Sequence, residues 1–190
     1  MSGAARLAIL VALACAVTPD VQGQAPQPLA VEFSPQTESF AATTEEYRAI
    51  WSAEGERIVT AMERATGLRF ERGPIRALVY EGASYSGYGS APMRLRASYP
   101  LATKRATLVH ELGHRLLGHS LLGEPRRTDH HPILFLFLYD VWVELWGKEF
   151  ADEQVAVESK RRGLYDYEGA WRRALLIPAP ERAARSRSLR

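Results

Sequence analysis

Pro132 opens a stretch, Ile133 to Trp146 (ILFLFLYDVWVELW), that is apolar on every side except at Asp140 and Glu144. Proline suits the first turn of a helix, and Gly147 interrupts the run, so the stretch reads as a helix with almost no face for water. A helix apolar all round has to be covered by other elements. The chain has 190 residues, enough for one domain and too few for two comfortable ones. It is 46% hydrophobic and 24% charged, near the globular average, so a sizeable core is expected.

The elements around that helix follow from periodicity. Tyr47, Ile50, Trp51, Ile58, Met62 and Ala65 recur at helical spacing over 44–66, after a Thr43-x-x-Glu46 capping-box pattern and before Gly67. The period then changes. Ile75 to Glu81 follows Gly73-Pro74 as a strand. Met93, Leu95 and Ala97 alternate with Arg94, Arg96 and Ser98 as a second strand with one wet face. Between them, SYSGYGSAP has no G-x-G-x-x-G and no following Lys. It reads as a flexible lip, a lid candidate over 84–90, and not as a phosphate cradle. Thr103 can cap a helix that reaches Leu117 and stops at Gly118, with a loop over 120–131. Glu149 to Arg162 reads as an amphipathic helix, and a last short helix around Trp171, Ala174, Leu175 and Leu176 is stopped by Pro178. Trp142, Trp146 and Trp171 read as core. The expected fold class is α+β, predominantly helical, with a small antiparallel sheet packed on the helix over 103–117.

Arg6, the unbroken apolar run Leu7 to Val17 and the small or modest residues Val21-Gln22-Gly23 have the layout of a secretory leader over residues 1–23. The run is too short to span a bilayer, which takes about 20 residues; an uncleaved N-terminal anchor is the alternative. The leader implies a secreted or periplasmic chain with no stable membrane span after cleavage. Cys15, the one cysteine, falls inside it, so the remainder relies on its core or on a bound metal. Residues 24–42, rich in Pro, Gln and Ser, read as a flexible arm, 43–180 as the domain, and 181–190 as a basic disordered tail. That tail holds four Arg and one Glu against a net charge of +2 for the whole chain, so the body shows no basic face for nucleic acid.

The stretch 106-ATLVHELGHRLLGHS-120 gathers three of the five histidines. His110-Glu111-Leu-Gly-His114 is an H-E-x-x-H motif, and its spacing has a mechanical reason. Residues i and i+4 lie about 40° apart on a helix, so His110 and His114 point the same way. Two imidazoles one turn apart can hold one Zn²⁺ at roughly 2.0–2.1 Å. Glu111 sits about 100° round from His110, near the metal without binding it, where a general base belongs. Gly113 costs a helix about 1 kcal/mol against Ala, which a close-packed neighbour would explain.

A zinc site takes a third protein ligand and keeps one position open. Asp140 and Glu144 are the leading candidates, because carboxylates are rarely buried unless paired or metal-bound. They are four apart and share a helix face, so one can complete the site while the other accepts the N–H of a ligand histidine. His119 binds only if Gly118 breaks the helix. Glu149, Asp152, Glu153 and Glu158, with Lys160 and Arg161, read as an exposed charged face. His130, His131, Tyr165 and Tyr167 are available to stabilise an oxyanion, and the sequence does not choose among them.

At His110-Glu111-Leu-Gly-His114 the chain resembles the zincin superfamily of metallopeptidases, and with an acidic helix downstream it looks most like the gluzincin-type members. A metzincin pattern would need glycine at position 117 and histidine at position 120, where this chain has Leu117 and Ser120. The resemblance implies hydrolysis of peptide bonds by a zinc-activated water on a minimal zincin-like fold. It makes His110 and His114 ligands and Glu111 the general base. It also implies a strand edge ahead of the active helix that aligns a peptide or protein substrate, with Met93 to Ser98 in the right place. Glu149-Phe-Ala-Asp152 is similar to the ligand signature of that group but one residue short, so no roles are carried over to it. The alternative is a non-catalytic, metal-stabilised envelope binding module, in which Glu111 is replaceable and a fourth protein ligand closes the metal off.

Overall fold

The computed structural model of the chain describes residues 29–71, 73–120, 129–163 and 165–188, apart from the side chains of His119 and Ser120. The leader expected over 1–23, with Cys15, lies outside the described residues. Among the described residues three strands and six α-helices follow one another as β1 (Val31–Pro35), α1 (Ala41–Thr66), β2 (Ile75–Tyr80), β3 (Met93–Arg96), α2 (Leu101–Ser120), α3 (His131–Trp146), α4 (Lys148–Glu158), α5 (Tyr167–Leu175) and α6 (Ala179–Arg187). The class is α+β and predominantly helical, as expected from the sequence.

The sheet corrects that expectation in one respect: its order is β1-β2-β3 and both pairings are parallel. Alternation of apolar and polar residues reports which face of a strand is buried, and β1, β2 and β3 do alternate. It carries no information on direction. Residues 81–92 are long enough to return the chain to the start of the sheet, as a parallel pair requires. Part of the expected flexible arm, Val31–Pro35, is β1 instead, with Val31 and Phe33 buried against the helices.

α1 begins three residues before its expected start, with Phe40 at its N-cap, so the Thr43/Glu46 box is not its cap. Thr44 instead returns its hydroxyl to the Phe40 carbonyl at 2.9 Å. Gly67 ends the helix in the left-handed region (φ 71°), which glycine enters without strain. α2 runs straight through Gly118 instead of stopping there.

α3 is the covered helix its composition demands, touching α1, α2, α4, α5 and α6. Leu134, Phe135, Phe137, Leu138, Val141 and Trp142 are all buried. The rings of Phe135 and Trp171 stack at 3.8 Å between centroids, joining α3 to α5. Full burial of such side chains contributes about 2–3 kcal/mol each. α2 can approach α3 closely because Gly113 faces it: a Cβ there would overlap Leu134 Cδ1. Gly147, at φ 89°, turns the chain sharply from α3 into α4. The expected basic tail is largely α6, and its Arg182 is buried against α3. No helix among the described residues is long and apolar enough to cross a membrane.

Candidate metal centre

His110 and His114 lie one turn apart in the middle of α2, both buried. Their rings are 4.9 Å apart between centroids, and their Nε2 atoms approach to 3.2 Å. Two nitrogens bound at about 2.1 Å to one tetrahedral ion stand about 3.4 Å apart, so the observed separation, which also fits an N–H···N hydrogen bond between neutral rings, is compatible with a shared ion. The third member comes from the first residue of α3. The His131 ring centroid is 4.8 Å from that of His114 and 5.4 Å from that of His110. Ligand nitrogens of the three residues all lie within 4.8 Å of one another, and this group can hold a metal ion.

Two of the three rings are turned by a carboxylate. Asp129 Oδ1 accepts the His131 backbone N–H at 3.0 Å and lies 2.6 Å from Nδ1 of the same residue. That contact keeps the proton on Nδ1 and leaves Nε2 as the free donor of a lone pair. His131 Nε2 is buried and has no hydrogen-bond partner among the described residues. A buried nitrogen of this kind is costly unless something binds it. On the other side, His110 Nδ1 faces Glu158 Oε1 at 2.9 Å. The approach is too oblique for a straight N–H bond, but it sets Nδ1 toward a carboxylate and Nε2 toward His114.

Glu158 is 1% exposed, so it does not belong to an outward acidic face. It shares α4's inner stripe with Ala151 and Gln154. Arg161 Nη2 stands 3.3 Å from it, and Trp171 Nε1 donates to it at 3.2 Å. Burial pushes its carboxyl up, but the charges of His110 and Arg161 outweigh burial and hold it below the usual carboxylate range. Arg161 is likewise turned inward, donating to Thr107 Oγ1 at 3.2 Å with its guanidinium 5.7 Å from the Tyr167 ring centroid.

Glu111 is 4% exposed. Burial raises its carboxyl above the usual range against the lowering influence of His110 and Arg161. The same burial, with neighbouring imidazoles, drives His114 well below the usual histidine value. His131 is lowered to about 4 by burial and by His110, with Asp129 pulling the other way. Neutral imidazoles are what a cation needs as ligands. Tyr165 and Tyr167 form one wall, their rings 4.8 and 4.5 Å from the His131 ring. Burial pushes the Tyr167 hydroxyl up to about 12. The His130 ring is 6.2 Å from that of His114.

Neither expected carboxylate is here. Asp140 is held by Arg182 through two bonds of 2.6 and 3.0 Å. Glu144 pairs with Arg64 at the surface. α3 meets the centre only near its start, at His131 and Phe135, and both carboxylates sit further along the helix. His119 is in the last turn of α2, and its side chain lies outside the described residues. Sequence reasoning missed His131 as the third member of the cluster and Glu158 and Asp129 as the carboxylates beside its rings. Asp129-His130-His131-Pro132, set at the head of an apolar helix, was the available signal. No family model, curated protein or solved structure matches this chain.

Proposed function

We propose that this chain is an exported zinc-dependent metallopeptidase in which His110, His114 and His131 hold Zn²⁺ and Glu111 is the general base. The observation that carries the reading is the buried, unpartnered Nε2 of His131 beside the H-E-x-x-H pair. Three nitrogen ligands with a fourth position left open are the donor set of catalytic zinc. Zinc bound there supplies the Lewis acidity that makes water a nucleophile near neutral pH and polarises a carbonyl.

The chain's own residues do the rest. Asp129 and Glu158 fix the ligand rings from behind, as carboxylates do for metal-bound histidines. Glu111, with its raised pKa, takes the proton of the attacking water and passes it to the leaving amine. Tyr167 stays protonated at neutral pH. Its ring, 4.5 Å from His131 and 6.4 Å from His110, makes it the favoured hydrogen-bond donor to the developing oxyanion. The leader layout of residues 1–23 supports a site of action in the periplasm or outside the cell.

The decisive variant is Glu111→Gln. It is expected to retain about one Zn²⁺ per chain and to lose peptide hydrolysis by about 10²-fold or more. Hydrolysis undiminished by that substitution would remove the mechanism and leave a metal-stabilised binding module.

A further inference from the structure

The strand edge expected to align a substrate is already taken. Arg94 of β3 exchanges both backbone bonds with Tyr85, at 2.9 and 2.7 Å, in an antiparallel bridge. The Arg96 N–H donates to Ser84 Oγ at 3.2 Å, and its carbonyl accepts the Tyr47 hydroxyl at 2.9 Å. The Ser98 N–H donates to Glu81 Oε2 at 3.2 Å. β3 therefore offers no free edge to an incoming chain.

The covering segment is tied down from α2. Arg115, next to His114, donates from Nε to the Ser86 carbonyl at 2.7 Å and from Nη2 to the Ala91 carbonyl at 2.5 Å. Arg76 holds the Ser90 carbonyl. Gly87 makes the turn between them at φ 63°, where a Cβ would overlap the Ala91 and Pro92 carbonyl oxygens. The Tyr88 ring lies on Gly118 of α2, and the Glu111 carboxylate is close enough to bear on its hydroxyl. Yet Tyr85, Tyr88, Gly89 and Ser90 are exposed, so little apolar burial anchors the segment. Segments held by a few polar bonds open at low free-energy cost.

We propose that residues 84–91 are a strap occupying, in cis, the strand position of an extended peptide substrate, and that Arg115 is its latch. The proposal rests on the peptidase reading of the neighbouring site and adds a substrate class: unstructured, extended polypeptide that enters by displacing the strap and pairing with Arg94 and Arg96. A blocked dipeptide, too short to need that edge, does not require the strap to open.

Arg115→Gln and the wild type, both zinc-loaded, are compared on two substrates and by amide hydrogen exchange. Losing the charge-assisted bonds is expected to speed exchange of the Tyr85 and Arg94 amides by about tenfold or more. It is also expected to raise kcat/KM for a long unstructured peptide by a similar factor, with the blocked dipeptide unchanged. A second variant, Tyr85→Cys/Arg94→Cys, locks the strap, since opposed residues in such a bridge stand about 5.5 Å apart, within disulfide reach. Oxidised, it is expected to lose long-peptide hydrolysis and to recover it on reduction. Full long-peptide turnover in the locked form, or unchanged exchange in Arg115→Gln, would overturn the strap. Absence of hydrolysis of either substrate by the wild type would instead count against the peptidase reading, and exchange alone would then decide the strap.

Discussion

At the start of α3 the His131 imidazole is buried with its Nε2 unpaired, while further along the same helix Asp140 and Glu144 are each closed by an arginine. All three are polar groups on an otherwise apolar helix. Arg182 arrives from α6 and forks onto the Asp140 carboxylate, with its guanidinium 5.5 Å from the Tyr139 ring centroid. Arg64 arrives from α1 to meet Glu144. Among the described residues no side chain occupies the corresponding place at His131 Nε2; Asp129 takes the other nitrogen instead. A polar group already paired within the fold gains less from a ligand. One that is oriented, buried and left open is where a ligand belongs.

The comparison breaks most visibly at the histidine. His131→Ala is expected to weaken metal binding by about 10²-fold or more, because a ligand is lost outright and not merely reoriented. Metal content after dialysis against a weak chelator reads this directly, with Asp140→Ala and Glu144→Gln retaining the wild-type stoichiometry. Metal lost from the Glu144 variant and kept by the His131 variant would reverse the assignment.

Acid sharpens the same contrast. His131, with its folded-state pKa at about 4, stays neutral in the fold while the unfolded chain takes up a proton near 6.5. Its contribution is therefore complete above about 6.5 and is lost as pH falls toward 4, because the unfolded state then binds the extra proton. A shift of that size corresponds to about 3 kcal/mol. Denaturant titrations of the metal-free protein between pH 7.5 and 4.5 should show stability falling, with a shallower fall in His131→Ala. Equal slopes in the two proteins would contradict it.

The far end of α3 gives the smallest effects. Asp140→Ala leaves the buried Arg182 guanidinium without its fork and is expected to cost about 2 kcal/mol of stability, with α6 loosening first. Glu144→Gln removes a pair with both side chains exposed and should cost less than about 1 kcal/mol. Urea midpoints for the two variants check the order; a larger loss at Glu144 would mean the pair is not the surface contact described.

These particulars also separate what was legible in the sequence from what was not. His110, Glu111 and His114 were readable because a helix turn brings i and i+4 together without help from the rest of the fold. The burial of α3 and the close approach at Gly113 were readable from composition and from a glycine inside a helical run. His131 was not, since it comes from a second helix and reads locally as a residue at a helix start. Asp140 and Glu144 misled because their arginine partners lie 42 and 80 residues away. Glu158 was hidden among the outward charges of α4, though it follows Ala151 by seven residues and Gln154 by four, the spacing of one buried face. Strand direction and α6 depended on contacts with no local signature.

The central claim is that three imidazoles from two helices converge on one cation. Anomalous diffraction at the zinc edge from zinc-loaded crystals tests it most directly. The account predicts a single strong peak about 2.0–2.1 Å from the Nε2 atoms of His110, His114 and His131. A peak that excludes His131, or one seated at Asp140 or Glu144, would contradict it.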